Sequence, residues 1–258
     1  MYHLSNRKKI IMKKLEELDL KTKKYIIFDM DGTLIDSIGI WNRTDQILIE
    51  RYGNITKDLD DIQVERHDFL HKNLDGDIYL EFCKYLIDKY NFSIKDEHLL
   101  LKKRWEISQE ILENEIDYKE DVVELIKKLK EVDFTLILAT MSIKIQLDIY
   151  FKKNKRMLSQ MNMLDVFDYI ICQDDVKNKK PNPEIYKKIL NRYNANPSEC
   201  LVFEDSYTGV LASKNAGIEV VNIYDKYADV EREDINKETD YFINNYKEFI
   251  DYINFLYE

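Results

Sequence analysis

Two aspartates, Asp29 and Asp31, stand one residue apart where the apolar run Tyr25-Ile26-Ile27-Phe28 gives way to Gly32 and Thr33. In an extended segment residues i and i+2 project to the same side, so both carboxylates can face one bound group. Held that close they repel, and either a divalent cation or a split in their protonation states relieves the repulsion. An ionised member of such a pair can attack phosphorus and form an aspartyl phosphate. Its neighbour can then give a proton to the leaving oxygen and later take one from water. A metal-binding turn, or an Asx turn closing a strand, uses the same residues without chemistry. A second acidic pair, Glu204-Asp205, closes another apolar run and offers hard oxygen ligands of the kind Mg²⁺ takes. His67 and His71 have the spacing of a zinc pair on a helix, but no third ligand accompanies them, and we read them as a helical surface or substrate-facing pair. Cys83, Cys172 and Cys200 are too scattered for a metal clamp or a disulfide framework and are read as reduced thiols.

Such residues need a scaffold that converges them. Apolar runs of strand length lie at residues 25–29, 134–140, 169–172, 200–204 and 219–223, and from the second run onward they alternate with helical patterns. That is the pattern of an α/β fold, a three-layer Rossmann-like core with a parallel sheet of about five strands. Four runs lead into a polar residue, Asp29, Thr140, Gln173 and Glu204, at the strand ends where open parallel sheets bind ligands. Roughly a hundred residues separate the first run from the second, far more than one crossover helix requires. Between residues 37 and 115 the apolar spacing is helical, over 38–52, 78–90 and 94–112, with breaks at Gly53-Asn54 and Asp75-Gly76. The expected organisation is therefore a core of residues 1–36 and 116–258 with a helical cap, 37–115, inserted. Residues 242–256 have the pattern of a terminal helix, and 225–240 form a charged, linker-like run. Residues 1–24 lack the apolar stretch of a signal peptide; Ile10, Ile11, Leu15 and Leu18 are spaced for a short amphipathic helix, with a frayed leader as the alternative. The basic cluster Lys152, Lys153, Lys155 and Arg156, within 151–164, is read as a solvated helix face.

Asp29-Met30-Asp31-Gly32-Thr33 resembles the first motif of the haloacid dehalogenase superfamily. Three more motifs follow in order: Thr140 ending the second strand, Lys180 before Pro181-Asn182-Pro183, and the pair Glu204-Asp205. On these motifs the chain is identified as a member over about residues 25–223. The resemblance implies that Asp29 is the nucleophile and Asp31 the general acid and base. It implies that Thr140 and Lys180 steady the phosphoryl group, with Gly32 and Met141 beside it. It also implies a magnesium ion held by Asp29, the backbone carbonyl of Asp31, Glu204 and Asp205. One departure is Lys179, where the family often has glycine before the third-motif lysine.

Within the resemblance, Asp31 favours phosphate esters, because family dehalogenases lack this second aspartate and phosphonate hydrolases usually carry a small residue there. The inserted helices are similar to the family's small cap, which closes over the site and excludes water. Trp41, Asn42, Arg43 and Asp45 of the first cap helix are the candidate substrate contacts. The rival is a sugar-phosphate mutase of the β-phosphoglucomutase kind, which has a histidine where this chain has Trp41. Its cap loop also carries an Arg-Gly segment, and no such segment occurs between Glu65 and Asp77. The expectation is thus a phosphatase acting on a small phosphorylated metabolite. An inactive binding protein of the same fold is the remote alternative, against which the intact Asp29, Asp31, Lys180 and Asp205 argue. A net charge of -10 and a pI near 5.1 argue against a nucleic-acid carrier. With 45% apolar and 34% charged residues, a folded, membrane-free, cytoplasmic monomer or dimer is expected.

Overall fold

A computed structural model describes residues 13–72 and 77–257. Its sheet is built from β1 (Tyr25–Phe28), β2 (Thr135–Ala139), β3 (Tyr169–Ile171), β4 (Cys200–Glu204), β5 (Glu219–Ile223) and β6 (Tyr241–Ile243), all parallel, in the order β3-β2-β1-β4-β5-β6. Strand residues alternate between two cores, as a sheet covered on both faces requires. Ile26 and Phe28, Leu136 and Leu138, and Leu201 and Phe203 face one side, while Ile27, Ile137 and Val202 face the other. Phe28 stacks on Phe203 at 4.7 Å between ring centroids.

Helices α1 (Ile40–Gly53), α2 (Leu59–Lys72), α3 (Ile78–Tyr90) and α4 (Glu97–Asn114) all fall between β1 and β2. The remaining helices are α5 (Val122–Glu131), α6 (Lys144–Lys152), α7 (Lys155–Leu158), α8 (Met163–Val166), α9 (Glu184–Tyr193), α10 (Tyr207–Asn215), α11 (Arg232–Glu238) and α12 (Tyr246–Tyr257). Residues of α5 and α12 pack on the Phe28 side, and residues of α9, α10 and α11 pack on the Ile27 side. In α5, Val122, Leu125, Ile126 and Leu129 are buried, a single stripe at helical spacing. Where the chain leaves for the helical insert and returns, the two passages are tied together. Asp36 donates its N–H to Asp117 O at 3.1 Å, and Lys119 donates to Leu34 O at 2.9 Å.

Several expectations are corrected. The sheet has a sixth strand, β6, lying where residues 242–256 were read as one helix; α12 begins only at Tyr246. The charged run 225–240 is folded, with a 3-10 stretch, Lys226–Glu231, followed by α11, and it is anchored by buried Ala228 and Ile235. A fourth insert helix, α2, follows the break at Gly53-Asn54, where Asn54 adopts the left-handed conformation, φ 54°. The Asp75-Gly76 break lies outside the described residues. Of the leader, Ile10 and Ile11 also lie outside them, Leu15–Glu17 is a single 3-10 turn, and Leu18 is buried.

The basic stretch has exposed Lys152, Lys153, Lys155 and Arg156, as a solvated face would, but it is anchored rather than loose. Asn154, fully buried, donates to Leu112 O at 2.8 Å and Ile116 O at 2.9 Å at the end of α4, and accepts from Met157 N–H at 3.0 Å. One side chain thus satisfies a carbonyl in the last turn of α4 and another just beyond its end, and caps the next helix.

Candidate active site

The strand order reverses between β1 and β4: the chain builds β2 and β3 on one side of β1 and β4 to β6 on the other. Crevices form at the carboxyl ends of strands at such a switch point. Asp29 follows β1 there, and Glu204 and Asp205 close β4 beside it. Gly32 makes the turn possible: its φ is +81°, and a Cβ at that position would stand 2.3 Å from Asp205 Oδ2. Glycine is also required on the helix beyond β4. A Cβ on Gly209 would lie 2.0 Å from Glu204 Cδ.

At the centre Lys180, its side chain 3% exposed, donates to Asp29 Oδ1 at 2.7 Å, Glu204 Oε1 at 2.6 Å and Ala139 O at 3.0 Å. Tyr186 adds a hydroxyl to Glu204 Oε1 at 3.0 Å. Thr33 donates to Asp205 Oδ1 at 2.8 Å, and Asn222 donates to the Glu204 and Asp205 carbonyls at 2.8 and 3.1 Å. Lys180 therefore sits in the cluster, whereas Lys179 is exposed and lines the cleft outside it.

Oxygens of Asp29, Glu204 and Asp205 lie within 4.8 Å of one another, and all three residues are buried. Three carboxylates against one ammonium leave an excess of buried negative charge. Burial pushes the Asp29 carboxyl up to about 8, with the Glu204 and Asp31 charges adding and Lys180 opposing. Burial, then Glu204, Asp29 and Asp225, push Asp205 well above the carboxylate range. Burial on its own would lower the Lys180 ammonium, but Asp29 and Glu204 outweigh it and hold it well above its ordinary value. An all-oxygen, over-charged donor set of this kind fits a hard divalent cation such as Mg²⁺.

Asp31 is not in that carboxylate cluster. Its Oδ1 accepts from Ser37 Oγ at 2.6 Å and Tyr150 OH at 3.4 Å, and its Oδ2 accepts from Ser142 Oγ at 2.6 Å. The two aspartates do not share one ion through their side chains; one points into the charged cluster and the other onto a cleft. Thr140 is buried, and its Oγ1 accepts from Ser142 N–H at 3.0 Å, which leaves the hydroxyl proton as the group it can offer. Sequence reasoning missed Ser37, Ser142 and Tyr150; only Ser142, two residues past Thr140, carried a local signal.

The cleft over Asp31 has a volume of about 630 Å³ and runs between the sheet end and the inserted helices, with Ser37, Trp41, Met141, Ser142 and Tyr150 on its walls. Trp41 is on its wall as expected, and its ring lies 6.2 Å from Trp105, edge to face. Arg43 is not among the lining residues; its guanidinium bonds Gln46 Oε1. Asp45 is fully buried and holds Arg104 in a two-point pair at 2.7 and 3.2 Å, and Asn42 is buried beneath them. The cationic walls are Arg66 and Arg104, neither of which stands in a recognisable motif. Of the histidine pair, His67 is half-buried on α2, and the side chain of His71 lies outside the described residues. The three cysteines are buried and unpaired.

A sequence profile for haloacid dehalogenase-like hydrolases matches residues 26–223, and the chain belongs to this family. It is 32% identical over 199 residues to a phosphorylated carbohydrates phosphatase of Thermotoga maritima, covering 75% of this chain and 82% of that protein. It is 27% identical over 205 residues to the pyrophosphatase PpaX of Bacillus velezensis, covering 77% and 82%. Among solved structures, one from Thermotoga maritima, provisionally assigned as a beta-phosphoglucomutase, superposes with a TM-score of 0.70 at 24% identity over 90% of this chain and 99% of that one. The chain is thus an enzyme of the phosphoric monoester hydrolase kind within its family, built on the Rossmann-like fold that its neighbours share.

Proposed function

We propose that this chain is a Mg²⁺-dependent phosphatase that hydrolyses a small phosphate monoester in two steps. The Asp29 carboxylate attacks phosphorus and becomes an aspartyl phosphate while Asp31 gives a proton to the leaving oxygen. Asp31 then takes a proton from the water that attacks the same phosphorus, releasing phosphate and restoring Asp29. The observation that carries this reading is the division of the two aspartates. Asp29 is clamped by Lys180 in the buried charged cluster, whereas Asp31, held by three hydroxyls, opens onto the cleft.

Asp29, Glu204 and Asp205, with the backbone carbonyl of Asp31, would hold the Mg²⁺, whose chemistry there is to neutralise charge on the phosphoryl oxygens. Lys180 and the Thr140 hydroxyl donate to those oxygens, and Gly32 and Met141 flank them. Residues 37–115 act as the cap and residues 1–36 with 116–258 as the core, so that α1 to α4 close the cleft against water.

Trp41 favours hydrolysis over a mutase reaction, since an indole can neither give nor take a proton as an imidazole does. The test is to incubate the protein with Mg²⁺ and a panel of sugar phosphates and follow both products. Steady release of inorganic phosphate without isomer supports the reading, and efficient isomerisation of one sugar phosphate into another contradicts it.

A further inference from the structure

Three cations face the cleft above Asp31: Arg66 from α2, Arg104 from α4, and Lys179 at its mouth. They are not equivalent. Arg104 is neutralised by Asp45, which meets it at two points, and its guanidinium lies 4.7 Å over the Trp41 ring. Lys179 is exposed to solvent. Arg66 has only weaker forms of both: its guanidinium lies 6.0 Å from the Trp41 ring centroid and its Nε 4.0 Å from Asp45 Oδ2. Its side chain is only 19% exposed, and Asn42 Oδ1 at 3.5 Å is its hydrogen-bond acceptor among the described residues. Among the described residues the carboxylate it pairs with is Asp45, whose Oδ2 already accepts from Arg104.

A guanidinium has five N–H donors and no acceptor, so among the described residues most of the Arg66 donors are unmatched, on a side chain that is 19% exposed. Leaving such a group unpaired is costly unless something binds there. Burial, with Arg104 alongside, pulls the Arg66 guanidinium down to about 10, against the opposing pull of Asp45 and Tyr79. Aromatic side chains line the cleft beside it, Trp41, Trp105 and Tyr79, the last two of them partly open to solvent. Of the acids that share the cleft, Asp77 is occupied as the N-cap of α3, accepting from Leu80 N–H, and Asp31 accepts from its three hydroxyls.

We propose that Arg66 receives a second anionic group, a carboxylate or a second phosphate, carried by the leaving group of the substrate. The substrate class is then a phosphate monoester whose alcohol half is itself anionic and lies against an aromatic wall. This rests on the phosphatase reading above and adds to it the chemistry of the half that departs.

The experiment measures binding separately from turnover. The full chain with Asp29→Asn, loaded with Mg²⁺, is titrated calorimetrically with two matched pairs: 3-phosphoglycerate against glycerol 3-phosphate, and fructose 1,6-bisphosphate against fructose 1-phosphate. The doubly anionic member of at least one pair should bind about 10- to 100-fold more tightly, the range a charge-assisted hydrogen bond supports. Adding Arg66→Ala should erase that preference while leaving the singly anionic members within about threefold. Arg66→Lys should keep part of it, and Arg66→Gln carries the test if the alanine variant does not fold. The pair that responds more tells carboxylate from phosphate. No preference in the parent, or an equal loss for both members of each pair, overturns the proposal. Hydrolysis of p-nitrophenyl phosphate by the chain with Asp29 intact tests the phosphatase reading independently.

Discussion

Gly209 lies in α10, where replacing glycine with alanine ordinarily stabilises a helix by about 0.8–1 kcal/mol. In this protein the sign reverses. The new methyl would stand 2.0 Å from Glu204 Cδ and 2.1 Å from both its oxygens. Ordinary carbon contacts are near 3.5 Å or more, so the carboxylate or the helix must yield by roughly 1.5 Å. Glu204 cannot move alone, because its Oε1 holds Lys180 at 2.6 Å and Tyr186 at 3.0 Å, and Lys180 in turn holds Asp29 at 2.7 Å. Overpacking costs about 1–3 kcal/mol, which outweighs the helix gain and leaves Gly209→Ala about 0–2 kcal/mol less stable. A displacement of about 1 Å in the groups around the nucleophile is expected to lower turnover about a hundredfold. Urea unfolding and p-nitrophenyl phosphate hydrolysis in Mg²⁺, measured on one preparation, check both halves. A variant at least as stable as the parent, with turnover within about twofold, would refute the reasoning that Glu204 positions Lys180.

Two further predictions concern stability. Asn154→Ala leaves the buried carbonyls of Leu112 and Ile116 without their donor and removes the cap of α7, and should cost about 2–4 kcal/mol in urea unfolding; a loss below about 0.5 kcal/mol would mean that other donors replace it. Glu219 accepts from Lys23 and Lys13 at 2.8 and 2.9 Å. Burial would raise its carboxyl, but the two lysines outweigh burial and lower it from 4.5 to about 2. Because the folded value is the lower one, its contribution is fully present above pH 4.5 and is lost as pH falls towards 2. Glu219→Gln should therefore cost about 1–3 kcal/mol at pH 7, after discounting for solvent screening, and nothing near pH 2. A constant difference across that range would contradict the assignment.

The strands that carry chemistry were legible because each is an apolar run buried on both faces and ends at a polar residue. β4 and β5 have the expected bounds, while β1, β2 and β3 end one residue earlier than the runs suggested and β2 also begins one residue later. β6 was not legible. Three residues cannot display a period, and Phe242 fits equally well into the helical pattern that follows. The helix α2 was hidden for a different reason: its side chains include Val64, 63% exposed, so its apolar stripe is weak. In the charged run 225–240 the buried apolar residues are Ala228 and Ile235, too few for an apolar pattern to register, and the other buried residues, Asp225, Thr239 and Asp240, are polar. At the site, Asp29, Lys180, Glu204 and Asp205 could be found because strand ends and motif order bring them together. Arg43 lies close along the chain to the first motif, whereas Arg66 carries no such signal. Which arginine meets the cleft depends on how α1, α2 and α4 rotate against one another, and no local spacing encodes that.

The central claim is that Asp29 is the nucleophile. It is tested most directly by comparing the parent with Asp29→Asn for p-nitrophenyl phosphate hydrolysis in Mg²⁺, after circular dichroism has established that both are folded. An amide nitrogen and carbonyl cannot form the acyl phosphate, so turnover should fall by at least about a thousandfold. If Asp29→Asn released phosphate at the parent's rate, the account of this site would be contradicted.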